Sequence, residues 1–214
     1  MESLSFAEIE EVGEELDRLI QKVSLRDVGT PDSLDRLNRE VQGCSRCDLA
    51  VSRKAIVFGE GSPTASLVFV GEAPGRDEDL AGRPFVGEAG QLLTRIIHAI
   101  NLRREDVYIA NVVKCRPPHN RDPKSDEIQA CFPFLLRQLD VIRPRVICAL
   151  GKFAAQTLLG TTEKISSLRG TIHEAYNCTV VPTYHPASLL RNPQWKREVW
   201  QDMQRVQKLL EDNA

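Results

Sequence analysis

Four of the six cysteines in this chain stand where thiolate chemistry could gather. Cys44 and Cys47 form a C-x2-C pair in a turn-like setting, a spacing that lets two thiolates grip one metal centre. Cys115 follows a run of strand character and sits in a proline-rich loop, and Cys131 lies on the first turns of the helical pattern beyond it, so a four-thiolate site is geometrically reasonable. All-sulfur coordination suits zinc or an iron–sulfur cluster. A redox role is a third reading, which no partner motif or cofactor loop supports. The plainer alternative leaves Cys115 and Cys131 as unrelated core residues. Cys148, inside an apolar strand, and Cys178, just ahead of another, read as small buried hydrophobes.

The elements that must position these residues follow from periodicity. Leu67 to Val70, Val107 to Val112, Val146 to Leu150 and Thr179 to Tyr184 are short, mostly apolar runs, as expected for strands covered on both faces. Helical patterns lie between and after them at Gly90 to Ile100, Asp126 to Val141, Lys152 to Leu159 and Gln194 to Leu210. Alternation of this kind argues for a parallel sheet between helical layers. Ligands in such sheets sit beyond the carboxyl ends of the strands. The loops found there are unusual: Gly71-Glu72-Ala73-Pro74-Gly75, Lys114-Cys115-Arg116-Pro117-Pro118-His119-Asn120-Arg121, Gly151-Lys152 and His185-Pro186-Ala187-Ser188-Leu189.

Upstream, Ser5 to Leu25 repeats apolar positions at helical spacing with acids between them, and Arg26 to Asp32 breaks the pattern before a short helix at Ser33 to Val41. The expected division is a helical extension over residues 1–41 and one domain over residues 42–214. With 214 residues and 42% hydrophobic content, the chain can bury one full core. It has no apolar run long enough to span a bilayer, and its acidic start lacks the basic and apolar parts of an export signal, so the expected setting is cytoplasmic, with no membrane partner. In that compartment six cysteines are not expected to pair as disulfides. Lys and Arg number 28 against 30 Asp and Glu, a net charge of −2, so any affinity for nucleic acid must come from a local patch.

Taken together, the Gly71 to Gly75 loop, Gly82-Arg83-Pro84-Phe85-Val86-Gly87, Asn111-Val112-Val113-Lys114-Cys115-Arg116-Pro117-Pro118 and His185-Pro186-x-x-Leu189 strongly resemble the family 4 uracil-DNA glycosylases, from about Gln42 to the C-terminus. The resemblance implies a three-layer α/β/α fold with a four-stranded parallel sheet. It also decides among the readings of the cysteines, implying a structural [4Fe-4S] cluster on Cys44, Cys47, Cys115 and Cys131 that pins the Cys115 loop to the start of the domain.

The same resemblance assigns a site for a uracil flipped out of single- or double-stranded DNA. Phe85 would stack on the ring, Asn111 would read its polar edge, and the backbone amides of Glu72, Ala73 and Gly75 would meet a uracil oxygen. His185 is the candidate donor to the departing base. Glu72 is the candidate for activating water, ahead of Glu78, with Asp77 and Asp79 giving that segment the look of a solvated acidic turn. Leu189 matches the wedge that enters the base stack. Lys114, Arg116, Arg121, Arg191 and Lys196 are the expected phosphate contacts.

One position departs from the family pattern. His119 stands where glycine is common, one residue from the place where, in a neighbouring branch, a histidine attacks the sugar and leaves protein bonded to DNA; Asn120 falls on that place here. Turnover is the expected outcome, with His119 contacting DNA or sugar. The competing reading is a uracil-DNA binder that stalls in a covalent complex through this loop. A nucleotide-binding protein is a weaker alternative, since the chain lacks a Gly-Lys-Ser/Thr phosphate loop. The chain is expected to act as a monomer, with a replication or repair protein as a possible partner of the N-terminal helix.

Overall fold

The computed structural model describes residues 31–212. The helix expected over Ser5 to Leu25 lies outside the described residues. In order, the elements are α1 (Pro31–Gln42), α2 (Leu49–Ser52), β1 (Glu60–Gly61), β2 (Leu67–Gly71), α3 (Arg76–Ala81), α4 (Glu88–Ala99), β3 (Tyr108–Asn111), α5 (Ser125–Ile142), β4 (Val146–Leu150), α6 (Lys152–Leu159), α7 (Ile165–Leu168), β5 (His173–Ala175), β6 (Cys178–Thr183), α8 (Pro186–Arg191) and α9 (Lys196–Glu211).

The strands form one sheet in the order β1-β3-β2-β4-β6-β5. The inner four, β3, β2, β4 and β6, are parallel, as the apolar runs imply. The expectation of a four-stranded sheet needs correction at its edges, where β1 and β5 add antiparallel to β3 and β6. Each is two or three residues long and partly solvent-exposed, so neither leaves an apolar run in the sequence.

Alternation along the strands divides the core into two layers. Val68, Val70, Ala110, Ile147, Ala149 and Val180 face a cluster that includes Leu37, Leu135 and Leu158 from α1, α5 and α6. Leu67, Phe69, Ile109, Val146, Cys148 and Val181 face the other, with Leu93, Leu189 and Met203 from α4, α8 and α9. Within the extension expected over residues 1–41, α1 belongs to the core: Leu34, Leu37 and Val41, one helical face, are buried, and Glu40 accepts from Arg137 of α5 at 2.7 Å. The acidic segment at Asp77 to Asp79 is a helix and not merely a solvated turn. Asp79 is buried and its carboxylate accepts from the Lys54 and Ala55 amides at 2.9 and 3.3 Å. No helix among the described residues is long and apolar enough to cross a membrane.

Candidate active site

Parallel pairing brings the loops after β2, β3, β4 and β6 to one edge of the sheet, and they line a cleft of about 590 Å³. Gly71 pairs in register with Asn111, which sets the Glu72 loop beside the end of β3. Asn111 is 1% exposed, and its Oδ1 has no hydrogen-bond partner although it lines the cleft. An orphaned buried acceptor is uncommon in folded proteins and calls for a partner brought from outside. Beneath it, the Lys114 ammonium donates to the Asn111 carbonyl at 2.9 Å and to Gln138 Oε1 at 2.6 Å.

Phe85 completes one wall. Its backbone is left-handed, at φ 51°, a conformation that costs an aromatic residue free energy and needs outside support. Three supports are present. Arg104, held by Glu60 at 2.6 Å, donates to the carbonyls of Pro84 and Phe85 at 2.9 and 3.2 Å. Glu78 accepts from the amides of Val86 and Gly87, each at 2.9 Å, and from Gly75 at 3.1 Å, tying the two loops together. Gly71 and Gly90 leave room that a side chain would take: a Cβ on Gly71 would collide with Asn111 Oδ1 and the Phe85 ring, and one on Gly90 with the Phe85 backbone.

The Phe85 ring lies 5.5 Å from that of His185, whose imidazole accepts the Ala187 amide proton on Nδ1 at 3.1 Å. That bond leaves the neutral ring's proton on Nε2. Burial, helped by the positive charge of Arg191, pulls the His185 pKa down to about 4, so the ring is a neutral donor near pH 7. Glu72 is shifted the other way: burial, with a smaller push from Asp122 against a pull from Lys152, lifts its carboxyl to about 7.

Cys44, Cys47, Cys115 and Cys131 line a second, narrow cavity together with Val41, Ile56 and Phe134. Donors already point at the sulfurs: the Lys114 amide reaches Cys131 Sγ at 3.2 Å, and Arg53 Nη1 reaches Cys115 Sγ at 3.5 Å while its Nη2 holds the Cys44 carbonyl at 2.7 Å. Among the described residues no three such ligands converge as tightly as a single metal ion requires. Cys148 and Cys178 are buried away from this cavity, as expected, and Cys178 donates to the Pro144 carbonyl at 3.1 Å.

A sequence model of the uracil DNA glycosylase superfamily matches residues 58–204. The type-4 uracil-DNA glycosylase of Archaeoglobus fulgidus is 47% identical over 186 residues, covering 83% of this chain and 94% of the relative. The chain belongs to this family. Type-4 relatives from Saccharolobus solfataricus and Sulfurisphaera tokodaii are 46% and 45% identical, over 84% and 83% of this chain and 87% and 85% of theirs.

Of the residues that the family motifs single out, Glu72, Ala73, Gly75, Glu78, Phe85, Asn111 and His185 all line the one cleft, with Arg121 and Arg191 at its edge. Several assignments need correction. Leu189 is 1% exposed within the α8 and α9 core, so in this arrangement it is packing and not a presented wedge. The Gly75 amide donates to Glu78, and the Glu78 carboxylate accepts from three amides, so both are engaged in holding the two loops together. Lys114 is 1% exposed and cannot reach a phosphate; it supports Asn111 instead. Arg121 is fastened to the buried Glu127 at 2.6 and 2.8 Å. Arg116 holds Asn120 Oδ1 at 2.7 Å outside the cleft lining, and Lys196 is exposed away from it. His119 is exposed at the loop tip, also outside that lining, whereas Asn120 is part of it.

Sequence reading missed Gln138, Arg53 and Arg104, which act across 24, 62 and 44 residues of chain and carry no local signal. It also missed the aromatic far wall of the cleft, for which Tyr184, next to His185, was an available sign. Lys114→Ala is expected to cost about 2 kcal/mol or more in urea unfolding, because Gln138 and the Asn111 carbonyl lose their shared donor in a buried setting. An unchanged midpoint would show that these groups find other partners.

Proposed function

We propose that the protein flips uracil out of DNA and hydrolyses its N-glycosidic bond, a monofunctional glycosylase reaction that starts base excision repair. The observation carrying this reading is the unpartnered Asn111 Oδ1, held in a buried wall beside Phe85 and His185. Uracil offers N3–H as a donor and O4 as an acceptor, which an asparagine amide can match as a pair. Cytosine offers the opposite pattern and would leave buried groups unpaired.

Extrusion of the base costs a few kcal/mol, offset by stacking on Phe85 and by the Asn111 bonds. As the C1′–N1 bond lengthens, its electron pair moves into the base and the sugar gains positive charge. The neutral His185 Nε2–H meets the charge that develops on the uracil O2. Glu72, whose carboxylate is not taken up by backbone amides as that of Glu78 is, stabilises the cationic sugar and takes the proton of the water that adds to C1′. Glu72 gives up that proton to solvent, the uracil N1 anion takes one from solvent, and free uracil and an abasic deoxyribose result.

The four thiols that line the second cavity, with the Lys114 amide and Arg53 directed at two of the sulfurs, support a [4Fe-4S] cluster on Cys44, Cys47, Cys115 and Cys131. Its role is to tether the loop behind Asn111 to α1 and α2, and it supplies no step of the hydrolysis. Phosphate contacts fall to Arg191 and the outer-face Arg116 and Lys196, each expected to change the logarithmic salt slope by about one unit. The exposed His119 is not positioned for covalent trapping, and the Asn120 amide that does line the cleft is no nucleophile.

The Glu72 role is tested by pH. Only the carboxylate can accept a proton, so uracil release is expected to rise with pH to a plateau, with its midpoint near 7. Glu72→Gln should remove that limb and lower the plateau rate about 100-fold. Stability runs the other way. The folded state holds the Glu72 proton more tightly than the unfolded chain, so stability falls as pH rises from the ordinary carboxyl range to about 7. Glu72→Gln should therefore be the more stable protein at pH 8. A flat profile in the native protein, or a Gln variant of native rate, rules out the assignment.

A further inference from the structure

The cleft is larger than one flipped base requires: a volume of about 590 Å³ lies in the range of about 300–1,000 Å³ typical of sites for drug-sized ligands. Its unused part is aromatic and cationic. Tyr184 and Trp195 stack with centroids 4.4 Å apart and planes 19° from parallel, and both line the cleft with Lys152 and Arg191. We propose that this wall is a subsite for the nucleotide next to the uracil in the same strand, with Trp195 stacking on its base and Lys152 and Arg191 meeting its phosphates.

Three observations carry the proposal, which rests on the uracil-excision reading. Tyr184 directly precedes His185, and both line the same cleft, so the aromatic wall adjoins the place of the flipped base. The wall is also preorganised. Arg169 lies over the Tyr184 ring at 5.3 Å and donates to both oxygens of Asp202, of which Oδ2 also takes the Thr183 hydroxyl at 2.8 Å just before Tyr184. With Tyr184 so engaged, the half-buried Trp195 is the ring of this stacked pair available to a ligand. Finally, the chemistry suits nucleic acid without demanding a sequence, since every base has a π face and stacking on an aromatic side chain is tolerant of base identity.

The test is a cycle between protein and DNA. Affinities of native protein and Trp195→Ala are measured for a single-stranded oligonucleotide carrying uracil, and for the same strand made abasic at the neighbour on one side and then on the other. Trp195→Ala is expected to weaken binding of the intact strand about tenfold and to have no effect once the correct neighbouring base is missing. Trp195→Phe should restore most of the loss. An equal loss on all strands would mark Trp195 as only a structural residue at the start of α9, and no loss at all would also overturn the subsite. Release of free uracil by the native protein is scored separately, so failure of the excision reading shows in that assay and failure of the subsite in the affinity cycle.

Discussion

Replacing His185 by alanine is expected to lower kcat for uracil release by about 100- to 1,000-fold with a much smaller change in KM. The asymmetry follows from timing: the neutral imidazole gains most when negative charge appears on the departing base, after binding is complete. The Ala187 amide fixes the tautomer by occupying Nδ1, and burial with Arg191 removes the positive form. The native rate should therefore show no loss that follows protonation of His185 until the pH approaches 4, far below the Glu72 limb near 7. Single-turnover kinetics on a uracil oligonucleotide would check both statements. If His185→Ala raised KM and left kcat alone, the ring would be a binding contact and the charge-stabilising role would be lost.

The second large effect is on the fold. Cys131→Ser is expected to lose bound iron and to lower Tm by about 10 °C or more. Burial lifts the Cys131 thiol to about 12 and also raises Cys47 and Cys115, so thiolates there need a strongly attracting centre. On the proposed cluster reading, its loss frees the loop from Val112 to Arg121 from α1 and α2, and Asn111 at the root of that loop loses its setting. Cys148→Ala is the matched control: buried, in β4, and outside the lining of the four-cysteine cavity, it should cost only about 1–2 kcal/mol of packing and leave the iron content unchanged. Equal iron content and Tm in native protein and Cys131→Ser would exclude a structural cluster.

The inner strands were legible because they are buried on both faces and so read as continuous apolar runs, Val146–Leu150 to the residue. The edge strands Glu60–Gly61 and His173–Ala175 were not, since a short half-exposed strand is specified by its neighbour's backbone and leaves no pattern of its own. Asn111, Phe85 and His185 could be placed together because the motifs that carry them resemble those of one family; Asn111 ends β3, and the other two stand on loops that line the same cleft. What failed were judgements of exposure. Lys114 looked like a phosphate contact because it is a lysine in a basic loop, yet its acceptors are the Asn111 carbonyl and Gln138, the latter far away in sequence. Leu189 looked like a wedge by position, but the helix Pro186–Arg191 turns it into the core. Glu78 shared the chemistry of Glu72 on paper; three backbone amides distinguish them in space.

The most direct test is a product count on matched uracil and cytosine oligonucleotides, single- and double-stranded, with substrate in large excess over the protein. The expected result is many equivalents of free uracil per protein, no cytosine release, and loss of the uracil signal in Asn111→Ala. A yield that stops at one equivalent with protein bonded to DNA, or comparable release of cytosine, would contradict a hydrolytic site that selects uracil through Asn111.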